Sequence, residues 1–379
     1  MEAYLDNSAT TPVCPEAIDA INKSLTKCWG NPSSLHYGGI EAAELVNEAR
    51  HSIARKLSCE DDEIFFTSGG TEANNLAVFG AAHAYRSKGM RVILTSVEHP
   101  SVNEPARQLE AQGYDVIRLR CDRFGQFDER QLMAAVNTST SLISIMAVNN
   151  EVGTIQAIEK AKLAAKKFNA PALIHCDAVQ AFGKIPLKPY SLGVDLMTIS
   201  SHKIHGPKGA GALFIKKGSR IASHIFGGGQ ENGIRPGTEP VPAIAGFGAA
   251  VDALPDINAQ LQKVTELRDY MLIRLRELGG IEINSPADAL PYVTNISVLG
   301  FPSEVILNYL SEMNIYVSSG SACSKGHKSR VLSAMNLSNE RINSAIRISL
   351  SRYTTKEEID YLIEGLGSAQ KSIMRRVVR

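Results

Sequence analysis

The run Ser200-Ser201-His202-Lys203-Ile204-His205-Gly206-Pro207-Lys208-Gly209 follows Val194-Asp195-Leu196-Met197-Thr198-Ile199, an apolar stretch that reads as a buried strand. A lysine just past such a strand, set among hydroxyls and imidazoles, is placed for imine chemistry. Burial or neighbouring cations lower an amine's pKa, and the neutral amine can then condense with an aldehyde. The aldehyde most often held this way is pyridoxal phosphate (PLP), whose ring takes up the electrons of a carbanion. A lone S-x-x-K also fits an ordinary surface turn, so the rest of the chain has to decide.

Other strand ends carry suitable groups. Ser68-Gly69-Gly70-Thr71-Glu72-Ala73-Asn74-Asn75 lies at a strand-to-helix junction. There, small residues and the helix N-terminus suit a phosphate monoester, and Thr71 adds a hydroxyl; the plain alternative is an N-cap. The segment is neither a Walker A loop nor G-x-G-x-x-G. Asp177, in His175-Cys176-Asp177-Ala178-Val179-Gln180, closes another apolar run. An acid there points into the cleft where parallel sheets bind ligands and could keep a pyridine nitrogen protonated, with Gln180 donating to the phenolic oxygen. His99, after Ser96-Val97-Glu98, could stack on the ring and move protons. Asn150, in Asn149-Asn150-Glu151-Val152-Gly153, could bond the phenolic oxygen or a substrate. Each of these groups also has a structural reading as a cap, a turn or a packed polar residue.

Positioning such groups requires alternating strands and helices. Strands are expected at 63–67, 91–95, 114–120, 141–148, 172–176, 194–199 and 211–215, with helices at 71–86, 98–112 and 158–168. This pattern predicts an α/β lobe with a mostly parallel sheet covered on both faces. After Pro255 the texture changes to a long amphipathic helix at 258–278, short strands at 281–283 and 293–298, helices at 303–313 and from Lys356, and a Ser/Gly loop at 318–324. The expected division is a large lobe over 15–255 and a smaller α+β unit made of 1–14 and 256–379.

Bulk properties narrow the class. The 379 residues, 44% hydrophobic, are enough for two lobes. Forty Lys+Arg against 39 Asp+Glu leave a net charge of +1, so no global field draws the chain to nucleic acid or membrane. No apolar run reaches the roughly 18 residues of a membrane span. The start MEAYLDNSATT does not read as a signal peptide. Cys14, Cys28, Cys59, Cys121, Cys176 and Cys323 form no C-x-x-C pair, which points to reduced thiols in the cytoplasm rather than a disulfide frame or metal site.

Taken in order, these motifs resemble the cysteine desulfurases of the NifS/IscS-like class, PLP enzymes of fold type I. The resemblance runs nearly end to end. It takes in Tyr4-Leu5-Asp6-Asn7-Ser8-Ala9-Thr10-Thr11, Gly30-Asn31-Pro32-Ser33-Ser34-Leu35-His36, the segments above, Arg235-Pro236-Gly237-Thr238 and Ser318-Ser319-Gly320-Ser321-Ala322-Cys323. It implies that Lys203 holds PLP, that Gly70, Thr71, Ser200 and His202 bind its phosphate, and that Thr238 reaches the phosphate of a neighbouring subunit in a homodimer. It further implies that Asp177 pairs with the ring nitrogen, that Asn150 and Gln180 serve the phenolic oxygen, and that His99 stacks on the ring. Arg347, in Ile346-Arg347-Ile348-Ser349-Leu350, would clamp the substrate carboxylate, a task suited to a guanidinium.

Cys323 would accept sulfur from L-cysteine, leaving L-alanine. Lys325, His327, Lys328 and Arg330 follow it, and cations favour the reactive thiolate. Arg347 lies 24 positions after Cys323, a spacing that resembles the NifS/IscS-like class and not the SufS-like class. The basic stretch at 324–330 departs from the best-known IscS proteins and puts the partner in question rather than the reaction. Expected acceptors are an iron–sulfur scaffold or a tRNA-thiolation enzyme; no metal, membrane or direct nucleic-acid role is expected. The rival readings are a selenocysteine lyase or another fold-type-I enzyme, and a non-catalytic relative acting as a binding subunit.

Overall fold

Short runs of Ile, Val, Leu and Phe become the strands of a central sheet. The computed structural model describes residues 1–319 and 328–377. A short β1 (Ala3–Tyr4) precedes β2 (Ile64–Thr67), β3 (Arg91–Thr95), β4 (Asp115–Leu119), β5 (Thr140–Ser144), β6 (Leu173–Asp177), β7 (Leu196–Ser200) and β8 (Gly211–Ile215). β2 to β8 form one sheet in the order β2-β8-β7-β6-β5-β3-β4. β3 to β7 are parallel, and β8 runs against both its neighbours.

The near-continuous apolar runs reflect burial on both faces. Successive side chains alternate between two cores. Phe65, Val92, Leu94, Leu142 and Leu196 pack on one side with α3 (Gly70–Ala84) and α4 (Pro100–Ala111). Phe66, Ile93, Ile143, Ile174 and Met197 face the other core, which also takes in α1 (Pro15–Thr26), α2 (Tyr37–Leu57) and the Val241–Asp252 helix. That last helix was not expected. It is buried nearly all round, so it lacks the polar stripe that marks a surface helix. It also approaches α2 closely: a Cβ at Gly248 would lie 2.6 Å from the Ala49 Cα.

The strand expected over 141–148 ends at Ser144. Its neighbour β3 ends at Thr95, so the Met146 N–H on that side donates to the Glu98 carboxyl instead of to a strand (2.9 Å). The run still bonds β6 on its other edge, through Ile145 and Ala147.

Beyond Pro255, β9 (Ile281–Ile283), β10 (Val293–Val298) and β12 (Ala345–Ser349) form an antiparallel sheet in the order β12-β10-β9. The segment Ile315–Tyr316, β11, pairs in parallel with β1, and Asp6 bridges to Ser349, so the chain's beginning lies against its last strands. Among the described residues no helix is long and apolar enough to cross a membrane.

Candidate active site

The parallel strands present their C-terminal ends to one cavity of about 570 Å³, the usual location for ligands in such sheets. Gly70 and Thr71 enter from the turn after β2, His99 from that after β3, and Asn150 from the segment after β5. Asp177 and Gln180 enter from the end of β6, and Ser200, His202 and Lys203 from the end of β7. Arg347 reaches the same cavity from the middle of β12. Thr238 is exposed and does not line it. Cys323 lies outside the described residues, while Lys328 and Arg330, just after it in sequence, line the cavity.

Lys203 ends a single 3-10 turn after β7. Its Nζ donates to the carbonyls of Ser8 and Ala9, the latter at 2.8 Å. The N-terminal segment is pinned there in turn: Thr11 donates through both N and Oγ1 to the His202 carbonyl, and the His205 N–H donates to Thr11 Oγ1 (2.8 Å). Burial, with Lys203 next in effect, pushes the His202 imidazole down to about 4. It therefore sits in the cavity wall as a neutral ring whose Nδ1 is 3.2 Å from Thr10 Oγ1.

One end of the cavity suits a phosphate. Gly70 opens α3, and a Cβ there would come within 2.8 Å of Val179 Cγ2, so a larger residue would press into this wall. The N-terminus of this 15-residue helix supplies unpaired N–H groups and the positive end of its dipole. Ser200 Oγ is buried, and no group among the described residues bonds it. A buried hydroxyl in that position calls for an acceptor from a ligand.

The other end suits a protonated pyridine. Asp177 is 5% exposed, and its oxygens accept from the Val179 N–H (3.0 Å) and Asn74 Nδ2 (2.8 Å). Gln180 Nε2 donates to the Ser8 carbonyl (3.0 Å), while its Oε1 accepts from Lys184 Nζ (3.3 Å). Burial, then Lys203 and Arg347, push the Lys184 amine down to about 7. His99 caps α4: its Nδ1 accepts from the Ser101 N–H (3.2 Å) and lies 2.7 Å from Ser101 Oγ. Burial lowers the His99 pKa, against the opposing pull of Asp177. Glu98 beside it is pushed up to about 8 by burial; its Oε1 accepts from Thr95 Oγ1 (2.6 Å) and Met146 N (2.9 Å). Cys176 is fully buried beneath these groups, which raises its thiol well above the ordinary range and leaves it a packing role.

The Arg347 guanidinium is almost wholly buried. It donates to Asp6 Oδ1 (2.7 Å) and to the Asn150 carbonyl (3.0 Å). Next to Asn150, the buried Glu151 accepts from Ser329 Oγ (2.5 Å). Sequence reasoning did not assign Asp6, Asn74, Ser101 or Lys184. A readable signal existed for one of them: Asn74 is the polar member of a buried set otherwise made of Ala, Leu, Val and Gly.

Comparison with known proteins gives the arrangement a family. The family model described as aminotransferase class-V matches residues 3–362. The cysteine desulfurase IscS of Dictyoglomus turgidum is 43% identical over 370 residues, 96% of this chain and 93% of that protein. The cysteine desulfurase IscS of Methanosarcina thermophila is 40% identical over 365 residues, 95% of this chain and 90% of that protein. A solved NifS-like protein superposes with a TM-score of 0.93 at 37% identity, covering 98% of this chain and all of that one. A structure described as SspA in complex with cysteine gives a TM-score of 0.82 at 33% identity over 93% of this chain and all of that one. Similarity of this extent, to relatives that share one named activity, means that the chain belongs to the NifS/IscS-like cysteine desulfurases, PLP-dependent enzymes of the class-V aminotransferase family.

Proposed function

We propose the following division of labour for this cysteine desulfurase. Lys203 holds PLP, while Gly70, Thr71, Ser200 and His202 bind its phosphate, joined by Thr238 from a second copy of the chain. Asp177 faces the ring nitrogen, Asn150 and Gln180 serve the phenolic oxygen, and His99 stacks on the ring. When bound, PLP supplies an electron sink at the substrate α-carbon. Arg347 orients the carboxylate of L-cysteine, helped by Asn150. The Lys203 amine moves the α-proton. The Cys323 thiolate attacks the substrate sulfur; the substrate C–S bond breaks, an S–S bond forms, and Cys323 is left as a persulfide. The carbon skeleton, reprotonated, leaves as L-alanine. His99 manages the proton of the departing sulfur.

The observation that carries this reading is convergence: strand ends far apart in sequence and one arginine from another sheet meet on a single cavity. Dimerisation is supported by large exposed side chains, Trp29 (78%), Leu35 (95%) and Tyr37 (87%) within nine residues of chain and Phe226 (87%) beyond them. The pairing of β1 with β11 supports a unit built from 1–14 and 256–379, with 15–255 as the large lobe. A cytoplasmic location and a sulfur acceptor of the iron–sulfur scaffold or tRNA-thiolation kind complete the proposal.

The test is one assay. The visible spectrum of the purified protein is recorded, L-cysteine and a reductant are added, and alanine and sulfide are quantified together. Equal yields from the native protein are expected. Cys323→Ser should keep the visible band and lose both products, and Lys203→Ala should lose the band itself. Full sulfide production by Cys323→Ser would overturn the assignment of the sulfur acceptor.

A further inference from the structure

Asn74 Nδ2 lies 2.8 Å from Asp177 Oδ2 and 2.8 Å from Ser101 Oγ. An amide facing the carboxylate must present its NH2 group, and that group's two hydrogens are then committed, one to Asp177 and one to Ser101. Ser101 Oγ, already accepting from Asn74, lies 2.7 Å from His99 Nδ1. The Ser101 backbone N–H reaches the same Nδ1 from 3.2 Å. A backbone N–H can only donate, so Nδ1 carries a lone pair and the serine hydroxyl hydrogen turns toward it. Asn74 (1% exposed), Ser101 (7%) and Asp177 (5%) are all buried, so water offers little competition. Every bond in the series therefore has one direction.

The geometry points to Asn74 and Ser101 as positioning residues that hold His99 as its Nε2–H tautomer, so that the ring meets the substrate sulfur as a hydrogen-bond donor and not as a base. The inference rests on the placement of His99 at the substrate sulfur proposed above and narrows its part there from moving a proton to donating a hydrogen bond. Nδ1 is occupied by two donors from the first turn of α4, and protonating it would require the Ser101 hydroxyl to turn away. The charged groups acting on the ring are Asp177, Lys203 and Arg330, with Glu98 and Glu104 also in the cavity wall. A change at Ser101 alters none of these five, whereas a change at Asn74 also takes a donor from Asp177.

Two measurements test this. Neutron diffraction from crystals of the resting holoenzyme should place a deuteron on His99 Nε2 and none on Nδ1; a deuteron on Nδ1 would overturn the proposal. In solution, protonation of Nδ1 breaks the bonds from Ser101 and lets the ring turn, which gives kcat/KM an acid limb; Ser101→Ala removes a donor to the neutral ring, so that limb for L-cysteine should move up by about one pH unit. Ser101→Thr keeps the hydroxyl and should restore the native limb, and Asn74→Ala should shift it in the same direction by less. A Ser101→Ala profile that only drops in height, with its limb unmoved, would reduce Ser101 to a structural cap and sink the relay. His99→Ala separates the two readings: if it leaves the rate and the limb unchanged, the role given to His99 fails, whatever the neutron map shows of the relay.

Discussion

The cavity has two walls built in different ways. One consists of the turns after β2, β3, β5, β6 and β7, each delivering its groups from a short local segment at the end of a buried strand. The other centres on Arg347, in the middle of β12, held to Asp6 across 341 positions of chain. The first wall inherits its rigidity from the sheet, because a strand buried on both faces cannot move its last residue without disturbing the core. The second depends on an ion pair between the two ends of the chain. Under the proposed division of labour, the contrast teaches where errors are tolerated: a cofactor needs several fixed contacts at once, whereas a substrate carboxylate needs one well-aimed fork.

The largest effect should come from breaking the first wall at its centre. Lys203→Ala is expected to lower turnover by about 10³-fold or more, as for removal of a group that both anchors and moves protons. Steady-state alanine formation measures the loss, and the missing visible band assigns it to the cofactor. The same change should leave the second wall intact, so binding of a cysteine analogue to the apoprotein should survive.

Next is the second wall alone. Asp6→Asn removes the partly exposed charge that pairs with the buried Arg347. It should raise KM for L-cysteine by about 10- to 100-fold, the range for a lost charge-assisted bond, while the visible spectrum stays native. A change in the spectrum without a change in KM would show that the two walls are not independent.

Two smaller effects sharpen the comparison through pH. Glu98, in the first wall, has a folded pKa near 8, above its ordinary 4.5. The folded state thus holds an extra proton between these values, and the group's contribution to stability is lost as pH rises through about 8. Glu98→Gln keeps the acceptor for Met146 and Thr95, and should flatten the fall in thermal midpoint across pH 5–8, a change of at most about 4 kcal/mol. Lys184 sits at the seam, bonded to Gln180 and with its amine over the Tyr292 ring. Its folded pKa of about 7 lies below the ordinary 10.5. The unfolded state binds the extra proton here, so stability rises with pH from about 7 to 10.5. Lys184→Met should remove that rise and stabilise the protein near neutral pH, by at most about 3 kcal/mol once the lost bond to Gln180 is counted. Scanning calorimetry over the two windows checks both signs, and a Glu98→Gln profile that still falls from pH 5 to 8 would place the titration elsewhere.

Much of the first wall was legible in the sequence because its signals are local. The strand at 211–215 and those at 281–283 and 293–298 have the bounds expected from their apolar runs, and Gly70, Asp177 and Lys203 each stand at the end of such a run. The Val241–Asp252 helix escaped because complete burial erases amphipathic period, and the strand over 141–148 was read too long because a side chain, Glu98, took over as acceptor. The second wall was legible only as a resemblance. Nothing near Ile346-Arg347-Ile348 announces a partner near the chain's start.

The sequence by itself determined which chemical groups this protein has and which of them lie at strand ends. Residue types and apolar periods are written along the chain, and a parallel sheet gathers its strand ends on one edge whatever the details. Only the tertiary structure decided that Asp6 meets Arg347, that Asn74 and Ser101 join Asp177 to His99, and that Glu98 and Lys184 are buried. The physical reason is that hydrogen-bond partners and the cost of desolvating a charge are set by neighbours in space, and those neighbours exist only once the chain has closed on itself.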